Sequence, residues 1–458
     1  MSGRTAEVVI CGAGIAGAAA AYHLAVRRGI TDVVLVDERP PLTLTSDKST
    51  ECYRNWWPGP GDAMVALMNR SIDLLEELAR ESGNVFQMNR RGYCFATADP
   101  ARVPTFVAAA EEAAALGAGP VRVHATATRD YRPSPGAGFD DQPTGSDVIT
   151  DVATIRRHFP YLAPDTLAVL HTRRCGWFSG QQLGMYLIER ARDKGVRFVQ
   201  GRVDGVDTAG GRVNGVHISG RESPGTVATP RFVIAAGPFL PAVARLLDVD
   251  LPVFAERHAK IAFNDARRAV PRDAPMVIWT DPIRLPWSDD EREELLASPS
   301  HRHLLDDMPA GVHGRPEGAG DSPSVLALWN YDLTPVEPTF PMEFDPAYPE
   351  IVLRGMARMI PALAPYVGHL PRCFVDGGYY VKTRENRFLA GPLPRPGAYV
   401  LGALSGYGLM ASNGAADLLA DYIAERPLPP YAPAFRLDRY DDPAYQALLA
   451  RWSGSGQL

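Results

Sequence analysis

Glu7-Val8-Val9-Ile10-Cys11-Gly12-Ala13-Gly14-Ile15-Ala16-Gly17 is the stretch that decides the fold. A short apolar run enters Gly12-x-Gly14-x-x-Gly17, with Ala13, Ile15 and Ala16 between the glycines, and the small-residue segment Ala18-Ala19-Ala20-Ala21-Tyr22-His23-Leu24 follows at once. That order predicts strand, tight turn and helix. The first glycine allows the turn, the second lets backbone approach a pyrophosphate, and the third lets the helix pack on the strand. The helix N-terminus then supplies N–H groups to the phosphate. A second apolar run, Val33-Val34-Leu35-Val36, ends in Asp37 and Glu38. This lies roughly twenty residues after the turn, where a carboxylate can take both ribose hydroxyls of an adenosine. The chain therefore opens on a dinucleotide cradle.

Around this start, 458 residues suffice for two or three domains. A net charge of −6 gives no electrostatic case for nucleic acid as a partner. No apolar run reaches the ~20 residues of a membrane helix, and the first strand begins too early for a leader ahead of it. The expected location is cytoplasmic. Five cysteines, Cys11, Cys52, Cys94, Cys175 and Cys373, stand far apart, without C-x-x-C or metal-type spacing. No metal site is expected. Only Lys48, Lys194, Lys260 and Lys382 are lysines in an arginine-rich chain, which draws attention to their chemistry.

Further along, a polar loop holds Ser49, Thr50, Cys52 and Arg54, and Trp56 and Trp57 follow in a Pro/Gly setting that suits a pocket lining. Helical spacing marks 62–81 and an alanine-rich helix marks 103–116, with short strands expected at 86–88 and 93–95. Residues 130–147 read as an exposed loop. After 176 a helix, a strand and a β-meander lead to Phe232-Val233-Ile234-Ala235-Ala236-Gly237, an apolar strand fit to lie beside the first one. The acidic, Pro/Gly-rich insertion 284–322 carries His301, His303 and His313 and reads as a solvated loop. A return segment from Gly377 to Arg387 contains Tyr380 and Lys382. Ser405-Gly406-Tyr407-Gly408-Leu409-Met410 then opens the last long helix, whose N–H groups and dipole can face an electron-rich redox ring.

These motifs resemble the FAD-dependent amine and amino-acid oxidoreductases, the group of D-amino-acid oxidase, glycine oxidase, sarcosine oxidase and dimethylglycine dehydrogenase. The resemblance runs over most of the chain. It rests on the N-terminal glycines with Asp37, the Ser49 to Arg54 loop, the strand ending at Ala236-Gly237, and the segment from Thr383 to the Ser405–Gly408 turn. It implies an α/β fold: a discontinuous Rossmann-like FAD-binding domain (1–84, 171–250, 371–458) and an α+β substrate domain on a mixed, mostly antiparallel sheet (85–170, 251–370). It also implies FAD with Val203 near the adenine, and with Ser49, Thr50 and Arg54 near the isoalloxazine. Gly406, Tyr407, Gly408, Leu409 and Met410 would offer backbone to the ring's pyrimidine side.

Family chemistry is hydride transfer from the carbon beside an amine to flavin N5, giving an imine that water hydrolyses. Electrons then pass to oxygen, often with help from a lysine, or to an electron-transfer partner. Lys260, beside His258, and Lys382 are the candidates here. The chain departs from the family at three positions: Gly378 stands where sarcosine oxidases link the flavin to cysteine, Tyr380 where an arginine holds the substrate carboxylate, and Met410 where a lysine does so. The expected substrate is an amine larger than glycine or sarcosine, with an apolar or aromatic portion near Trp56, Trp57, Tyr379 and Tyr407. Any carboxylate falls to Arg54 or Arg384.

Two other flavoprotein classes fit poorly. A hydroxylase using NADPH would carry a Gly-Asp pair before its last helix, and Leu401-Gly402-Ala403-Leu404-Ser405 has none. A disulfide reductase would need paired cysteines and a second dinucleotide motif. A non-catalytic FAD-binding assembly factor remains the reading from a different class. The purified protein is expected to be yellow, releasing one FAD per chain on acid precipitation. Flavin retained by the precipitated polypeptide would show a covalent bond, for which Cys52 is the candidate, and colourless protein that takes up no FAD would contradict the cradle.

Overall fold

In the computed structural model, which describes residues 4–57, 59–127, 130–220 and 225–452, the strand Val8–Cys11 is buried along its whole length. It lies inside a six-stranded sheet ordered Arg197–Gln200, Val33–Asp37, Val8–Cys11, Phe232–Ile234, Ala398–Gly402 and Leu389–Pro392. Ile10 pairs with Leu35 on one side and Val233 on the other, both in parallel register. Only Leu389–Pro392 runs antiparallel. Strands buried on both faces need continuous apolar sequence, and the quoted runs supply it. Alternation then divides them: Val8 and Ile10 enter one core cluster, Val9 and Cys11 another.

Helices cover the first face. Ile15–Tyr22 packs against Gly180–Asp193 and Gly408–Ile423, and Ala63–Glu81 packs on Gly408–Ile423. On the second face lies a four-stranded sheet of Arg4–Thr5, Gly225–Ala228, Arg212–Ser219 and Arg202–Ala209, the expected meander with added edges. No helix among the described residues is long and apolar enough to cross a membrane.

A nine-stranded sheet forms the other half, ordered Cys373–Lys382, Phe254–Asn264, Ser324–Leu328, His313–Pro316, Met276–Trp279, Tyr93–Thr97, Ala168–Thr172, Ser146–Ile149 and Val121–His124. Only two neighbouring pairs are parallel, Met276–Trp279 with Tyr93–Thr97 and Val121–His124 with Ser146–Ile149. The mixed, mostly antiparallel second sheet is thus present. Cys52–Arg54 pairs with Cys175–Trp177, which sets Arg54 opposite Cys175.

Two local expectations are corrected. Residues 86–88 form no strand, because the Asn84 side chain accepts the Met88 N–H at 2.7 Å and Gln87 takes a left-handed φ of +54°. The 284–322 insertion is not a solvated loop. It contains the helix Asp289–Ala297, started by a Ser288/Glu291 capping box, and the strand His313–Pro316, all four residues of which are buried.

The C-terminal segment fastens the return turn. Arg439 donates to Glu385 Oε1 at 2.8 Å, and the hydroxyls of Tyr440 and Tyr445 add bonds of 2.8 and 2.9 Å to the same oxygen. From the same turn the Asn386 carbonyl accepts the Tyr407 hydroxyl at 2.6 Å. Removing one partner of a buried ion pair strands the other, so Arg439→Met is expected to lower unfolding free energy by about 3–5 kcal/mol in chemical denaturation. Arg436→Met, at a half-exposed pair, is expected to cost less than about 1 kcal/mol. Equal losses would contradict the role given to the Glu385 cluster.

Candidate active site

Two cavities meet at Tyr380 and Gly406, which line both. The larger, of about 530 Å³, follows the C-terminal ends of the parallel strands, where open α/β sheets hold their ligands. Its lining takes in the first glycine turn, Asp37 and Glu38, the loop 42–46, Val203, Ala236 and Gly237, and the turn from Leu404 to Leu409. Gly12, at φ +107°, lies so near the adjoining strand that a Cβ would stand 2.3 Å from the Ala235 carbonyl oxygen. The turn therefore sits flat on the strand ends and leaves the space above them open. Asp37 holds it there, accepting the Ala13 N–H on Oδ2 at 2.8 Å and the Arg39 N–H on Oδ1 at 2.9 Å. Each oxygen keeps a further lone pair for a hydroxyl. The Ile15 N–H, at the helix start, donates to Ser46 Oγ at 2.9 Å. A carboxylate, a helix N-terminus and a second glycine turn on one cleft suit the ribose, pyrophosphate and ring of FAD.

The smaller cavity, about 70 Å³, opens between the two sheets. Arg54, only 4 % exposed, comes to it from the short strand Cys52–Arg54, its guanidinium carbon 4.3 Å from the centre of the Trp57 ring. Burial pushes its pKa down, against the nearby Tyr93 and Cys175. Trp57 in turn meets Tyr407 edge-on at 5.1 Å. His313 enters from the fourth strand of the second sheet, next to the central one, and its Nδ1 lies 2.8 Å from the Gly311 carbonyl oxygen. Burial, with the charges of His258 and Arg54, brings its pKa to about 4 even though the Gly311 bond acts the other way. Tyr93, Asn330 and Met276 complete much of the wall.

Behind Tyr380 lies a buried charge relay. The Tyr380 ring stacks on His258 at 4.0 Å, His258 Nε2 meets Glu256 at 2.9 Å, and Lys382 Nζ pairs with the same carboxylate at 2.5 Å. Burial raises the Glu256 carboxyl, but its contacts with His258 and Lys382 hold it below its usual value. Lys260 Nζ donates to the Ser49 carbonyl at 3.0 Å. Neither lysine lines either cavity.

Of the residues singled out in the sequence, Gly12, Gly14, Ile15, Ala16, Asp37, Glu38, Ser49, Val203, Ala236, Gly237, Gly406, Gly408 and Leu409 line the cleft. Ala13 and Gly17 stand behind it in the turn. Thr50, Arg54, Tyr407 and Met410 line the small cavity instead. Trp56 packs on Phe95, Tyr379 lines the cleft and bonds Thr339 through its hydroxyl, and Arg384 is exposed. The histidines of the insertion separate, His301 pairing with Asp345 while His313 lines the cavity. At Gly378 a Cβ would stand 3.0 Å from Thr45 Cγ2, so a side chain there would press on the loop 42–46. Cys52 lines the small cavity with its thiol pKa pushed up by burial, which disfavours the thiolate.

Sequence reasoning missed Thr43, Thr45 and Ser46 in the cleft and Tyr93, His313 and Asn330 in the small cavity. The hydroxyl-rich Thr43-Leu44-Thr45-Ser46 was a usable signal for the first group. Nothing in the local sequence marks the second.

The family model described as DAO, FAD dependent oxidoreductase, matches residues 7–422. Mitochondrial dimethylglycine dehydrogenase of Rattus norvegicus is 27% identical over 329 residues, 69% of this chain and 33% of that protein, so the chain spans a third of that relative's length. Among solved structures, L-proline dehydrogenase from P. horikoshii superposes with a TM-score of 0.73 at 18% identity, covering 96% of this chain and 98% of that one. Glycine oxidase from Geobacillus kaustophilus gives 0.71 at 16%, covering 95% and 99%. These likenesses establish the shared fold.

The relay makes a prediction of its own. Burial lowers the His258 pKa, Glu256 raises it and the Lys382 charge lowers it further, so Lys382→Met is expected to move the His258 titration upward. Imidazole NMR of the variant and wild type reads this directly. An unchanged or lower midpoint would show that the two groups are not coupled through Glu256.

Proposed function

The chain belongs to the family of FAD-dependent oxidoreductases, and from that premise we propose that it oxidises the C–N bond of an amine bearing a carboxylate and an apolar portion, giving an imine that water hydrolyses. The observation that carries this reading is Arg54, a buried cation on the wall of a small cavity that shares Tyr380 and Gly406 with the cofactor cleft. Bound FAD supplies the acceptor for the hydride that leaves the carbon beside the nitrogen.

The chain's own residues do the rest. In this reading Asp37 takes the adenosine ribose, the Ile15 and Ala16 backbone with Ser46 takes the pyrophosphate, and the Gly406–Met410 turn faces the ring, all without a covalent bond. The parts 1–84, 171–250 and 371–458 hold the cofactor, and 85–170 with 251–370 cover the substrate. Arg54 grips the carboxylate in place of the cations absent at Tyr380 and Met410, since a buried carboxylate needs a charged partner. Trp57, Tyr407 and Met276 give the apolar portion its wall. The amine must lose its proton before hydride leaves, and burial beside Arg54 lowers the ammonium pKa in that direction. Tyr380 flanks the place where the substrate space meets the cleft, backed by His258, Glu256 and Lys382. Lys260, held at the carbonyl of cleft-lining Ser49, is the better placed lysine for electron exit. The names of the relatives, dehydrogenases and an oxidase of amino acids, support the substrate class.

Anaerobic mixing of the FAD-loaded protein with L-proline, N-methyl-L-phenylalanine, sarcosine and their decarboxylated counterparts tests this. At least one amino acid is expected to bleach the visible flavin band, and readmitted oxygen then separates an oxidase from a dehydrogenase. Arg54→Met is expected to weaken the carboxylate substrates by about 10- to 100-fold while leaving the decarboxylated amines unchanged, the range for losing a hydrogen bond to a charged group. A flavin that no amine reduces would overturn the reading.

A further inference from the structure

Within that small cavity, His313 has a specific chemical character. Its Nδ1 faces the Gly311 carbonyl oxygen at 2.8 Å, and a carbonyl can only accept, so Nδ1 carries the ring's hydrogen. Nε2 is then left as a bare lone pair. Among the described residues no hydrogen bond reaches Nε2, and it is not one of the enclosed, unpartnered side-chain atoms. It therefore opens on the cavity that His313 lines with Arg54, Asn330 and Tyr380.

We propose that His313 Nε2 accepts a hydrogen bond from the substrate nitrogen in its reactive, uncharged form, so that the site takes primary and secondary amino acids and discriminates against tertiary ones. The inference rests on the reading of this cavity as the substrate site. An uncharged secondary amine keeps one N–H for His313 and points its remaining lone pair elsewhere, free to drive hydride departure. An uncharged tertiary amine has no N–H, and it leaves a buried acceptor unpaired. Arg54 fixes the carboxylate and His313 the nitrogen, which orients the carbon between them by two contacts of different kind.

The surroundings keep the ring in the accepting state. The charged and titratable groups around it are Arg54 and Cys52 from the first short strand, Tyr93 from the second sheet, Tyr380 from the return strand, and His258, whose Glu256–Lys382 relay lies behind. None is a carboxylate in contact with His313. With its pKa at about 4, the ring is uncharged at neutral pH.

Pyrrole-2-carboxylate and furan-2-carboxylate provide a test free of turnover, since they differ by an N–H replaced with an ether oxygen. Their dissociation constants for the FAD-loaded protein can be read from perturbation of the flavin spectrum. Wild type is expected to hold the pyrrole roughly 10- to 100-fold more tightly, and His313→Asn, which keeps a donor for Gly311, is expected to bring the two within about 3-fold. Imidazole nitrogen NMR, assigned by the signal lost in His313→Asn, is expected to report an Nδ1-protonated, Nε2-bare ring at neutral pH. Equal affinities in wild type, a preference that survives in His313→Asn, or a proton on Nε2 would each overturn the proposal. Binding of neither compound, with Arg54→Met indistinguishable from wild type, would instead overturn the substrate-site reading and the proposal with it.

Discussion

A buried guanidinium is costly to keep, and the site is arranged around the one at Arg54. Removal from water disfavours its charge, and the flat face of Trp57 returns part of that loss. The strand that carries it is only three residues long and is held by pairing with Cys175–Trp177, so the cation stands on regular backbone rather than on a loose loop. Trp57 is braced by Tyr407, and Tyr407 by the Asn386 carbonyl within a turn that the Glu385–Arg439 cluster fastens. The C-terminal segment thus bears, through four contacts, on the position of a cation near the sequence's opposite end.

The second constraint is the closeness of the first turn to the sheet. Gly12 allows the chain to lie against the Ala235 carbonyl, and Asp37 ties the same turn from the neighbouring strand. Three strands therefore end at one level, and the cleft runs along that edge until it reaches Tyr380 and Gly406. The large cleft and the small cavity lie on either side of those two residues, and each half of the molecule contributes to the walls. The hydride transfer proposed above would need that junction open, because the reacting carbon must lie against the ring with water kept out.

What could be read from the sequence follows from how local each signal is. Gly12, Gly14, Gly17 and Asp37 announce themselves by spacing, and the apolar runs at Val8, Val33 and Phe232 by their length, because a doubly covered parallel strand has no polar face. The Ser405–Gly408 turn was visible for the same reason. His313 was hidden, since a four-residue strand, His-Gly-Arg-Pro, has no periodicity and contains two residues that ordinarily break strands. Its neighbours on the sheet come from 278 and 328, and only that pairing buries it. Lys260 and Lys382 were legible only as rare residues, with no local signal for their surroundings. Rarity drew attention to them, yet one donates to the Ser49 carbonyl and the other balances Glu256, and rarity carries no information about which way a side chain points.

In the proposed function, one small cavity at the end of the FAD cleft grips an amino acid by its carboxylate through Arg54. A crystal structure of the FAD-loaded protein with pyrrole-2-carboxylate tests it most directly. The predicted result is a carboxylate against the Arg54 guanidinium, with the ring between Trp57 and the flavin. A ligand bound elsewhere, or one whose carboxylate turns away from Arg54, would contradict it.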